Sequence, residues 1–497
     1  MLAIKYKIFL INFCLFILIS PPLFSQYNEL SSFPPDSVFI INSFVFDVDG
    51  ITRPFALINA ANFISGEELH GVSNFEEYLQ EKTQLLINQR TLDSARIEYS
   101  IGGVLDNGKY PVDLIIFVKD TWNIIVLPYP KYDSNDGFEL TLKARDYNFL
   151  GTMQPLRIDL GYRYDRLGRS FYDALIDTGI PFEAFGLSWN VNFENYFTYR
   201  PDLAEPFYYQ NVTGINVNIP VGSTTLNLGF EEAITVNDEI SADVFQTLYF
   251  TSRPYFTWRI PTGIDFFDLG DLTYNLRFSA VFNHELPQYP LPEYKLEPVL
   301  NFSHSLGFGR FDWIGNFKNG IYGSISNSYG FYFYNLKNDL EPLRANLIIT
   351  GVGHFILNDF MGISTRLMYR HYFNYSNENA GDILRGILVR NVTADYMLSL
   401  NFEMPFRVLR FKPSEWLNNS SWRIIDFDLH LVPIIDAALV NNISFNPENL
   451  LLTAGLEFIG YPDFFRSMFF RVAVGFNISG FKYNNEYEIF LGMEFFY

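Results

Sequence analysis

The sequence predicts a mainly β protein, in which a transmembrane antiparallel β-barrel follows one small α+β domain. The chain has 497 residues, of which 18% are aromatic and only 18% are charged, and its formal net charge is −20. Its mean hydropathy of +0.04 is too low for a bundle of membrane helices. From Pro130 onward, apolar and polar residues alternate with a period of two, which is typical of β-strands. Together these observations indicate a bacterial outer-membrane barrel.

The composition argues against three other classes of protein. Nucleic-acid binding depends on Lys and Arg that neutralise phosphates, and the chain has 35 of these residues against 55 Asp and Glu. Disordered chains lack large apolar side chains, whereas this chain has 52 Phe. A disulfide framework needs two thiols, and Cys14 is the single cysteine. We therefore expect no nucleic-acid partner.

Residues 1–25 have the pattern of a secretory signal peptide. A basic start is followed by an apolar run over residues 8–19, and small or Pro residues end the segment. The apolar run is shorter than the roughly 20 residues that a membrane-spanning helix needs. An N-terminal membrane anchor is the alternative. Cleavage of the signal removes Cys14, and residues 26–36 then form a linker.

Residues 37–128 show a mixed pattern that predicts a small α+β domain. A strand over residues 38–48 ends in an Asp-Gly turn. Thr52 is placed to cap a short helix, and Ser73 or Asn74 is placed to cap a second one. These features predict the order strand, helix, helix for the first part of the domain.

Two further strands complete the predicted domain. Residues 97–101 and 112–118 alternate as strands, and the Asp-Asn-Gly sequence at 106–108 between them is a strong hairpin signal. The whole domain therefore has the predicted order strand, helix, helix, strand, strand.

The barrel is predicted over residues 132–497, where no helical period remains. Clear strands at 156–164, 187–193 and 215–219 each have one apolar face and one polar face. A soluble β-sandwich also alternates, and it is the alternative. Abundant Phe and Tyr favour lipid, because aromatic residues form the girdles of membrane barrels. In lipid the sheet must also close, since an open edge leaves backbone groups unsatisfied.

Periodicity does not determine the number of strands. Strands of about 10 residues leave room for twelve, sixteen or eighteen strands with their connections. The first strand is expected near residues 138–145. Polar or Pro-rich segments at 287–293, 335–342 and 374–382 are predicted loops.

The chain ends in a strand pattern over residues 487–497. Gly492, Met493, Phe495 and Tyr497 give it the Gly-apolar-any-apolar-any-aromatic form of a barrel-closing strand. Such a terminal strand can be offered to an assembly machine by edge pairing. We therefore expect it to close the barrel against the first strand.

Four short motifs stand in order along the barrel region. The first is an Asp-x-Asn-x-x-Gly signature between the first two predicted barrel strands, formed by Asp146, Asn148 and Gly151. The other three are Leu384-Arg385-Gly386-Ile387 in a predicted loop, Glu403 in a strand, and Asp436 within Ile434-Ile435-Asp436-Ala437-Ala438.

Together with the order of the α+β domain, these motifs resemble the BamA, TamA and two-partner-secretion superfamily. Its members join periplasmic POTRA domains to a sixteen-stranded barrel that inserts or exports proteins. The resemblance covers nearly the whole chain after residue 36, and it implies a single POTRA domain and sixteen strands. It also implies an outer-membrane location with the POTRA domain in the periplasm. Outer-membrane lipids and client polypeptides are the implied partners, with periplasmic or lipoprotein partners at the POTRA domain as a further possibility.

In the family, the tip of a long loop folds into the lumen, and the resemblance makes Arg385 and Asp436 the pair that holds it. A planar guanidinium can bind a carboxylate through two hydrogen bonds, which fixes direction as well as distance. Gly386 permits a tight turn, and Glu403 is a second acidic candidate. The alternative is that Arg385 is one solvated lumen charge among many. The motif departs from the family at Leu384, Ile387 and Ala438, where the family has Val, an aromatic residue and Gly.

The implied function is insertion or translocation of polypeptides. A client strand can pair at the seam between the first and last barrel strands, or pass through the lumen, and the sequence leaves both routes open. The alternative is a passive channel or lipid-handling pore whose POTRA domain docks a periplasmic partner. We expect no enzyme and no cofactor, because His284-Glu285 lacks a second His at metal-ligand spacing and no Gly-x-Ser-x-Gly elbow occurs. Residues 133–137 look like part of a Ca²⁺ loop, but a turn explains them better.

Overall fold

The computed structural model describes residues 30, 33–202, 206–237, 247–265, 271–441, 449–466, 468–479 and 486–495. The predicted signal peptide and Tyr497 lie outside the described residues. Contacts divide the chain into two units. The smaller unit comprises Met1–Asp47, Phe63–Thr83 and Arg96–Ile116, and the larger comprises Val48–Asn62, Gln84–Ala95 and Phe117–Tyr497. The predicted domain at 37–128 is therefore divided between the two units.

The N-terminal region is a four-stranded sheet with two helices, and its strand order is β2-β1-β4-β3. Its elements are β1 (Val38–Asp49), α1 (Pro54–Ala61), β2 (Glu68–His70), α2 (Val72–Asn88), β3 (Leu92–Ile101) and β4 (Tyr110–Asp120). The strand β2, which pairs antiparallel with β1, was not predicted. Three residues are too few for an alternating pattern to show in the sequence.

The predicted helix caps are wrong. Helix α1 follows Arg53, no side chain caps it, and Pro54 stands at its start, where a missing N–H is tolerated. The Thr52 hydroxyl instead donates to Asp120 Oδ1 at 2.6 Å. Helix α2 begins at Val72, one residue before the first predicted cap.

The larger unit contains a closed antiparallel barrel of nineteen strand segments among its described residues. The segments are β5 (Ile124–Asp133), β6 (Gly137–Asp146), β7 (Leu156–Tyr164), β8 (Ser170–Ala184), β9 (Leu187–Tyr199), β10 (Phe207–Val221), β11 (Thr224–Val236), β12 (Leu248–Asp265), β13 (Asp271–Glu285), β14 (Val299–Ile314), β15 (Phe317–Tyr332), β16 (Leu343–Asn358), β17 (Met361–Phe373), β18 (Tyr396–Glu403), β19 (Phe406–Phe411), β20 (Phe427–Val440), β21 (Leu450–Pro462), β22 (Met468–Asn477) and β23 (Tyr487–Phe495). Short helices in the connections are α3 (Glu293–Leu296), α4 (Phe333–Lys337) and α5 (Pro413–Trp416).

Two of these segments occupy a single position in the wall. Strands β18 and β19 both pair with β17 and β20, and the register continues across the break at Met404-Pro405. The barrel therefore has eighteen spanning strands, and the predicted sixteen is wrong. Several connections at one end are tight, such as the turns at Phe185-Gly186 and Gly222, where the backbone takes positive φ.

The first barrel strand is β5 and not the predicted segment at 138–145, which lies in the second strand, β6. The predicted domain boundary, between 128 and 132, falls inside β5. Pro128 and Pro130 caused this error, because Pro in a sequence usually marks a linker or an edge rather than a strand interior. The Asp-x-Asn-x-x-Gly signature consequently joins the second and third strands.

The barrel wall is apolar outside and polar inside. In β6, Leu140 and Leu142 are 46% and 47% exposed, whereas Thr141 between them is 3% exposed. This pattern is the reverse of a soluble sandwich, in which the apolar face is the buried one. It favours the predicted barrel over the sandwich alternative. In the described part of the chain, no helix has both the length and the apolar character to cross a membrane.

The two ends of the barrel differ in their connections. At one end, here called the loop end, the strands are joined by the connections 134–136, 286–298, 333–342 and 374–395. At the other, here called the turn end, they are joined by 147–155, 185–186, 222–223 and 315–316. The three loops predicted from polar or Pro-rich sequence all lie at the loop end. The long connection 374–395, called the inner loop below, is part of the candidate site.

Candidate functional site: the inner loop and the barrel seam

The inner loop packs against lumen-facing side chains of the barrel. Leu384 and Ile387 are buried in one apolar cluster with Met397, Ala438 and Leu451. These strand residues come from β18, β20 and β21, so the tip of the loop contacts three neighbouring strands. Leu384, Ile387 and Ala438 are the positions where the sequence departs from the family motif. All three side chains belong to the same buried cluster.

Arg385 and Asp436 form a contact of three hydrogen bonds between the inner loop and the wall. Arg385 Nη2 donates to Asp436 Oδ1 at 2.6 Å, and Nε donates to Oδ2 at 2.9 Å. The backbone N–H of Arg385 also donates to Asp436 Oδ2, at 2.9 Å. Asp436 has no exposed surface. The pair predicted from the sequence is thus brought together in bidentate geometry, which fixes the direction of the loop tip.

Two further carboxylates complete the surroundings of the guanidinium. Arg385 Nη1 donates to Glu403 Oε1 at 2.5 Å and to Glu457 Oε1 at 3.3 Å. Arg471 Nη2 donates to the same oxygen of Glu457 at 2.7 Å. Glu403 was predicted as a second partner, whereas Glu457 was not. Three carboxylates therefore share two guanidinium groups, and loss of Arg385 would leave buried negative charge unpaired.

The other side of the inner loop is held by β17 and β18. Asn401 Nδ2 donates to the carbonyl of Ile383 at 2.7 Å, and Asn401 Oδ1 accepts from Arg366 Nε at 2.9 Å. Arg370 Nη1 donates to Asp382 Oδ1 at 2.6 Å. These hydrogen bonds fix two residues that precede Arg385 in the loop. They thereby help to position its guanidinium beside the three carboxylates.

Gly386 allows the loop tip to lie directly on the wall. Its φ is +117°, and an added Cβ would come within 2.6 Å of the Phe476 backbone nitrogen in β22. Its N–H donates to Glu488 Oε2 in the last strand at 2.9 Å. The predicted close approach at Gly386 is present, and its partner is β22 with the seam strand β23.

The seam between β5 and β23 has much less pairing than the neighbouring strands. Among the described residues, Asp133 pairs with Phe490 and Tyr132 pairs with Leu491. On its other side, β5 pairs with β6 along its whole length. The ladder at the seam is confined to the loop end, where Ser134 N donates to the carbonyl of Ile489 at 3.2 Å.

Toward the turn end, side-chain packing replaces the ladder at the seam. Tyr129 of β5 is buried in an apolar cluster with Met493 of β23 and Met468 of β22. Gly492 leaves room for the Tyr129 hydroxyl, which lies 3.0 Å from the position of an added Cβ. The predicted closing signal therefore lies in β23, and Phe495 ends that strand.

The Asp-x-Asn-x-x-Gly signature forms a buried polar junction at the turn end. Asn148 has no exposed surface, and its Nδ2 donates to Thr52 Oγ1 at 2.6 Å and to Asp120 Oδ2 at 3.1 Å. Asp146 Oδ1 accepts from Asn148 N at 3.0 Å, which shapes the turn. Gly151 has φ +72°, and an added Cβ would lie 2.0 Å from the carbonyl oxygen of residue 51. Each residue of the signature therefore has a distinct structural task.

Sequence reasoning missed four polar residues of these sites: Asp120, Asn135, Glu457 and Glu488. Glu457 and Glu488 stand at lumen-facing positions of strands whose other face is apolar. The alternation of side chains along each strand was therefore the signal that could have selected them. Asp120 and Asn135 lie at strand ends and turns, where polar residues are ordinary. Among the described residues, no cluster of His, Cys, Asp and Glu is arranged to hold a metal ion.

A separate polar cavity of about 1050 Å³ lies against the wall formed by β7 to β13. Ion pairs cross between strands there, including Arg253 Nη1 with Glu231 Oε2 at 2.7 Å and Arg157 Nη1 with Asp177 Oδ2 at 3.3 Å. Asn190, Asn192 and Gln210 are also among its lining residues. The lumen therefore has one side filled by the inner loop and one polar side with open space.

No protein-family model matches the sequence, and the comparison with curated proteins gives no match. Solved structures do match. BamA from Haemophilus ducreyi lacking POTRA domains 1–3 is 13% identical with a TM-score of 0.38, over 92% of this chain and 85% of that one. CdiB from Acinetobacter baumannii is 12% identical with a TM-score of 0.45, over 92% and 74%. CdiB from Escherichia coli is 9% identical with a TM-score of 0.42, over 96% and 94%. These identities and TM-scores are low, and the superfamily resemblance stays a prediction from the sequence.

Proposed function

We propose that this protein is a bacterial outer-membrane transporter that inserts polypeptides into the outer membrane or moves them across it. The observation that carries the proposal is the inner loop, held inside the lumen by Arg385 on the buried carboxylate of Asp436. In a passive pore such a loop serves as a fixed constriction. In a transporter that must stay sealed between clients, the same loop can be withdrawn and reseated, and this is the role that we propose.

The outer wall of the barrel supports a membrane location. Its exposed side chains are largely apolar, and they alternate with polar side chains that face the lumen. That arrangement suits a barrel in lipid, where the polar lumen stays hydrated. We infer that the barrel spans the bacterial outer membrane and that the N-terminal α+β region works in the periplasm.

The α+β region supports a role in client binding. Strand β3 stands at one edge of its four-stranded sheet, next to β4. An edge strand has unpaired backbone groups that can hydrogen-bond an extended peptide. We infer that this POTRA-like region receives unfolded client segments by strand addition, and that periplasmic or lipoprotein partners can dock on it.

The seam supports a lateral route for the client. Its ladder comprises the two described pairs, Asp133 with Phe490 and Tyr132 with Leu491. A seam of this length can separate at a lower free-energy cost than the long ladders elsewhere in the wall, and it then offers two strand edges to a client. Binding and folding of the client, rather than a nucleotide, would drive transport.

Depletion of the protein followed by quantitative proteomics of purified outer membranes tests the proposal. Broad loss of other barrels would indicate general insertion, and loss of one or two surface or secreted proteins would indicate a dedicated transporter. Rescue with the wild-type chain is the control for depletion. An unchanged protein profile would refute the transport function.

A passive channel is the second candidate, and the polar cavity of about 1050 Å³ favours it. Conductance of the purified protein in planar bilayers separates the two candidates. A sealed wild-type barrel that conducts after Arg385→Ala supports the transporter with a removable inner loop. Steady conductance in both proteins, combined with an unchanged outer-membrane proteome, supports the channel.

A further inference from the structure

The short ladder at the seam has a cause in the sequence of β5. In an antiparallel ladder, every second residue directs its N–H toward the same neighbouring strand. The Ser134 amide points to Ile489 of β23, so residues 132, 130 and 128 lie on that same side of β5. Pro128 and Pro130 have no N–H to donate. The two described pairs of the seam accordingly end where the prolines begin.

The prolines leave the other side of β5 intact. Pro128 is paired with Leu142 and Pro130 with Leu140 in β6, within a register that runs from Ile124 to Asp133. Pro is tolerated in a strand where its missing N–H faces away from the ladder. The two prolines therefore weaken the pairing with β23 and spare the pairing with β6.

At the loop end, side chains supply what the ladder lacks. Glu488 of β23 accepts from Gly386 N with Oε2 at 2.9 Å and from Asn135 Nδ2 with Oε1 at 2.8 Å. Asn135, in the turn after β5, accepts from Val389 N with Oδ1 at 2.8 Å. The last strand, the first hairpin and the inner loop are thus joined in one ring of hydrogen bonds. We call Glu488 and Asn135 the latch.

We propose that closure of the seam depends on the seating of the inner loop, through the latch. Pro128 and Pro130 limit the ladder, so the bridge from Glu488 to Asn135 holds the two strands together while the loop tip completes it. Withdrawal of the tip removes the bonds to Gly386 and Val389 and frees the latch. Arg385 and Asp436 hold the loop tip in place, so they control the closure of the seam without contacting it. The coupling between the inner loop and the seam does not depend on the proposed function. Only its use in client passage rests on that function.

The experiment measures hydrogen exchange of backbone amides in β5 and β23, on the full chain folded in detergent micelles. In Glu488→Ala we expect exchange in both strands to accelerate about tenfold, because a hydrogen bond to a charged group contributes at least that factor to closure. Asn135→Ala removes the other half of the latch from a half-buried turn and should act in the same direction. It also keeps the test decisive if Glu488→Ala fails to fold.

Glu231→Ala is the matched control. Glu231 is a lumen carboxylate paired with Arg253 at 2.7 Å, on the wall away from the inner loop. This variant should leave exchange in β5 and β23 unchanged. Replacing Pro128 and Pro130 together by Val restores two donors toward β23, so exchange there should slow and the effect of Glu488→Ala should shrink.

Two outcomes would overturn the proposal. One is exchange in β5 and β23 within twofold of the parent in both folded latch variants. The other is equal acceleration in Glu231→Ala, which would indicate a general loss of barrel stability. The measurement needs no client, so a failed latch is distinguishable from a failed transport function, which is judged on the outer-membrane proteome.

Discussion

Both carboxylate oxygens of Asp436 accept hydrogen bonds from Arg385, and Asp436 has no exposed surface. A buried charge is tolerated only where a partner compensates for its lost hydration. The guanidinium also meets Glu403 and Glu457, so it compensates an acidic patch on the wall. Arg385 therefore seats the tip of the inner loop together with the buried apolar cluster around Leu384.

Arg385→Ala should lower the free energy of unfolding by about 3–5 kcal/mol, because it leaves a buried charge without its partner. The double variant with Asp436→Ala should lose less than the sum of the single losses, since both members of the pair are then gone. Urea unfolding of the protein in detergent micelles measures these values. Arg390→Ala, in the same loop, is the control. Additive losses would show that the two side chains are energetically independent.

Arg385→Lys should rescue only part of the stability lost in Arg385→Ala. Lys keeps the charge but replaces the planar fork by a single ammonium, so it cannot bind Asp436 through two parallel hydrogen bonds. Limited proteolysis of the folded protein should cut the loop faster in Arg385→Lys than in the parent. Equal cleavage rates would mean that charge alone seats the loop.

Gly386→Ala should displace the loop tip from the wall. The substitution combines a φ of +117° with an added Cβ only 2.6 Å from the Phe476 nitrogen, so both the backbone and the packing must change. We expect a lower unfolding free energy and faster proteolysis within 374–395. Gly351→Ala is a matched control, since its Cβ would meet no atom within 4 Å. Similar behaviour of the two variants would contradict the close approach.

Asn148→Leu should destabilise the barrel by about 1–3 kcal/mol, because Thr52 and Asp120 lose a buried hydrogen-bond partner. The amide of Met153, which donates to Asn148 Oδ1 at 2.9 Å, is left unsatisfied as well. Unfolding in urea measures the loss. Asn218→Leu, at an exposed position near the end of β10, should change stability little. If both variants behave alike, the junction does not contribute to stability.

The ion pair of Asp93 and Arg423 should make stability depend on acid pH. Arg423 Nη2 donates to Asp93 Oδ1 at 2.6 Å. Burial raises the pKa of Asp93, but the hydrogen bonds and charge of Arg423 outweigh it and lower this pKa below its ordinary value. Because the pKa of Asp93 is lower in the folded protein than in the unfolded chain, the ionised carboxylate stabilises the fold. This stabilisation is fully present above the ordinary Asp pKa of about 3.9, and it is lost as the pH falls through the pKa of Asp93 in the folded protein.

The measurement is the midpoint of urea unfolding between about pH 6 and pH 3, across the ordinary Asp pKa. Asp93→Asn should flatten the acid side of this profile by about 1 kcal/mol, since the carboxylate is partly exposed. Asp106→Asn, in an exposed turn, is the control and should keep the parent profile. A parent profile that stays flat below pH 4 would refute the assignment.

The fold class and the order of the site motifs along the chain could be predicted from the sequence. Its period of two distinguishes strands from helices, because side chains alternate across a strand whatever the strand pairs with. Arg385, Gly386, Glu403, Asp436 and the Asn148 signature were selected by the resemblance of their short motifs to the family, since each motif is contiguous in the sequence. The number of strands could not be predicted from the period of two. Two prolines obscure the strand pattern of β5, and β18 and β19 are two segments that occupy one place in the barrel wall.

Contacts between residues that are distant in the sequence could be seen only in the folded barrel. Glu488 and Asn135 are far apart in sequence, and nothing in their local patterns distinguishes them from other polar residues on strands and turns. Closure of the barrel brings the last strand beside the first, and only then do one carboxylate and one amide bridge the seam to the inner loop. Sequence periodicity reports which face a side chain occupies, whereas partners across a closed sheet depend on register, and register is set by the whole barrel.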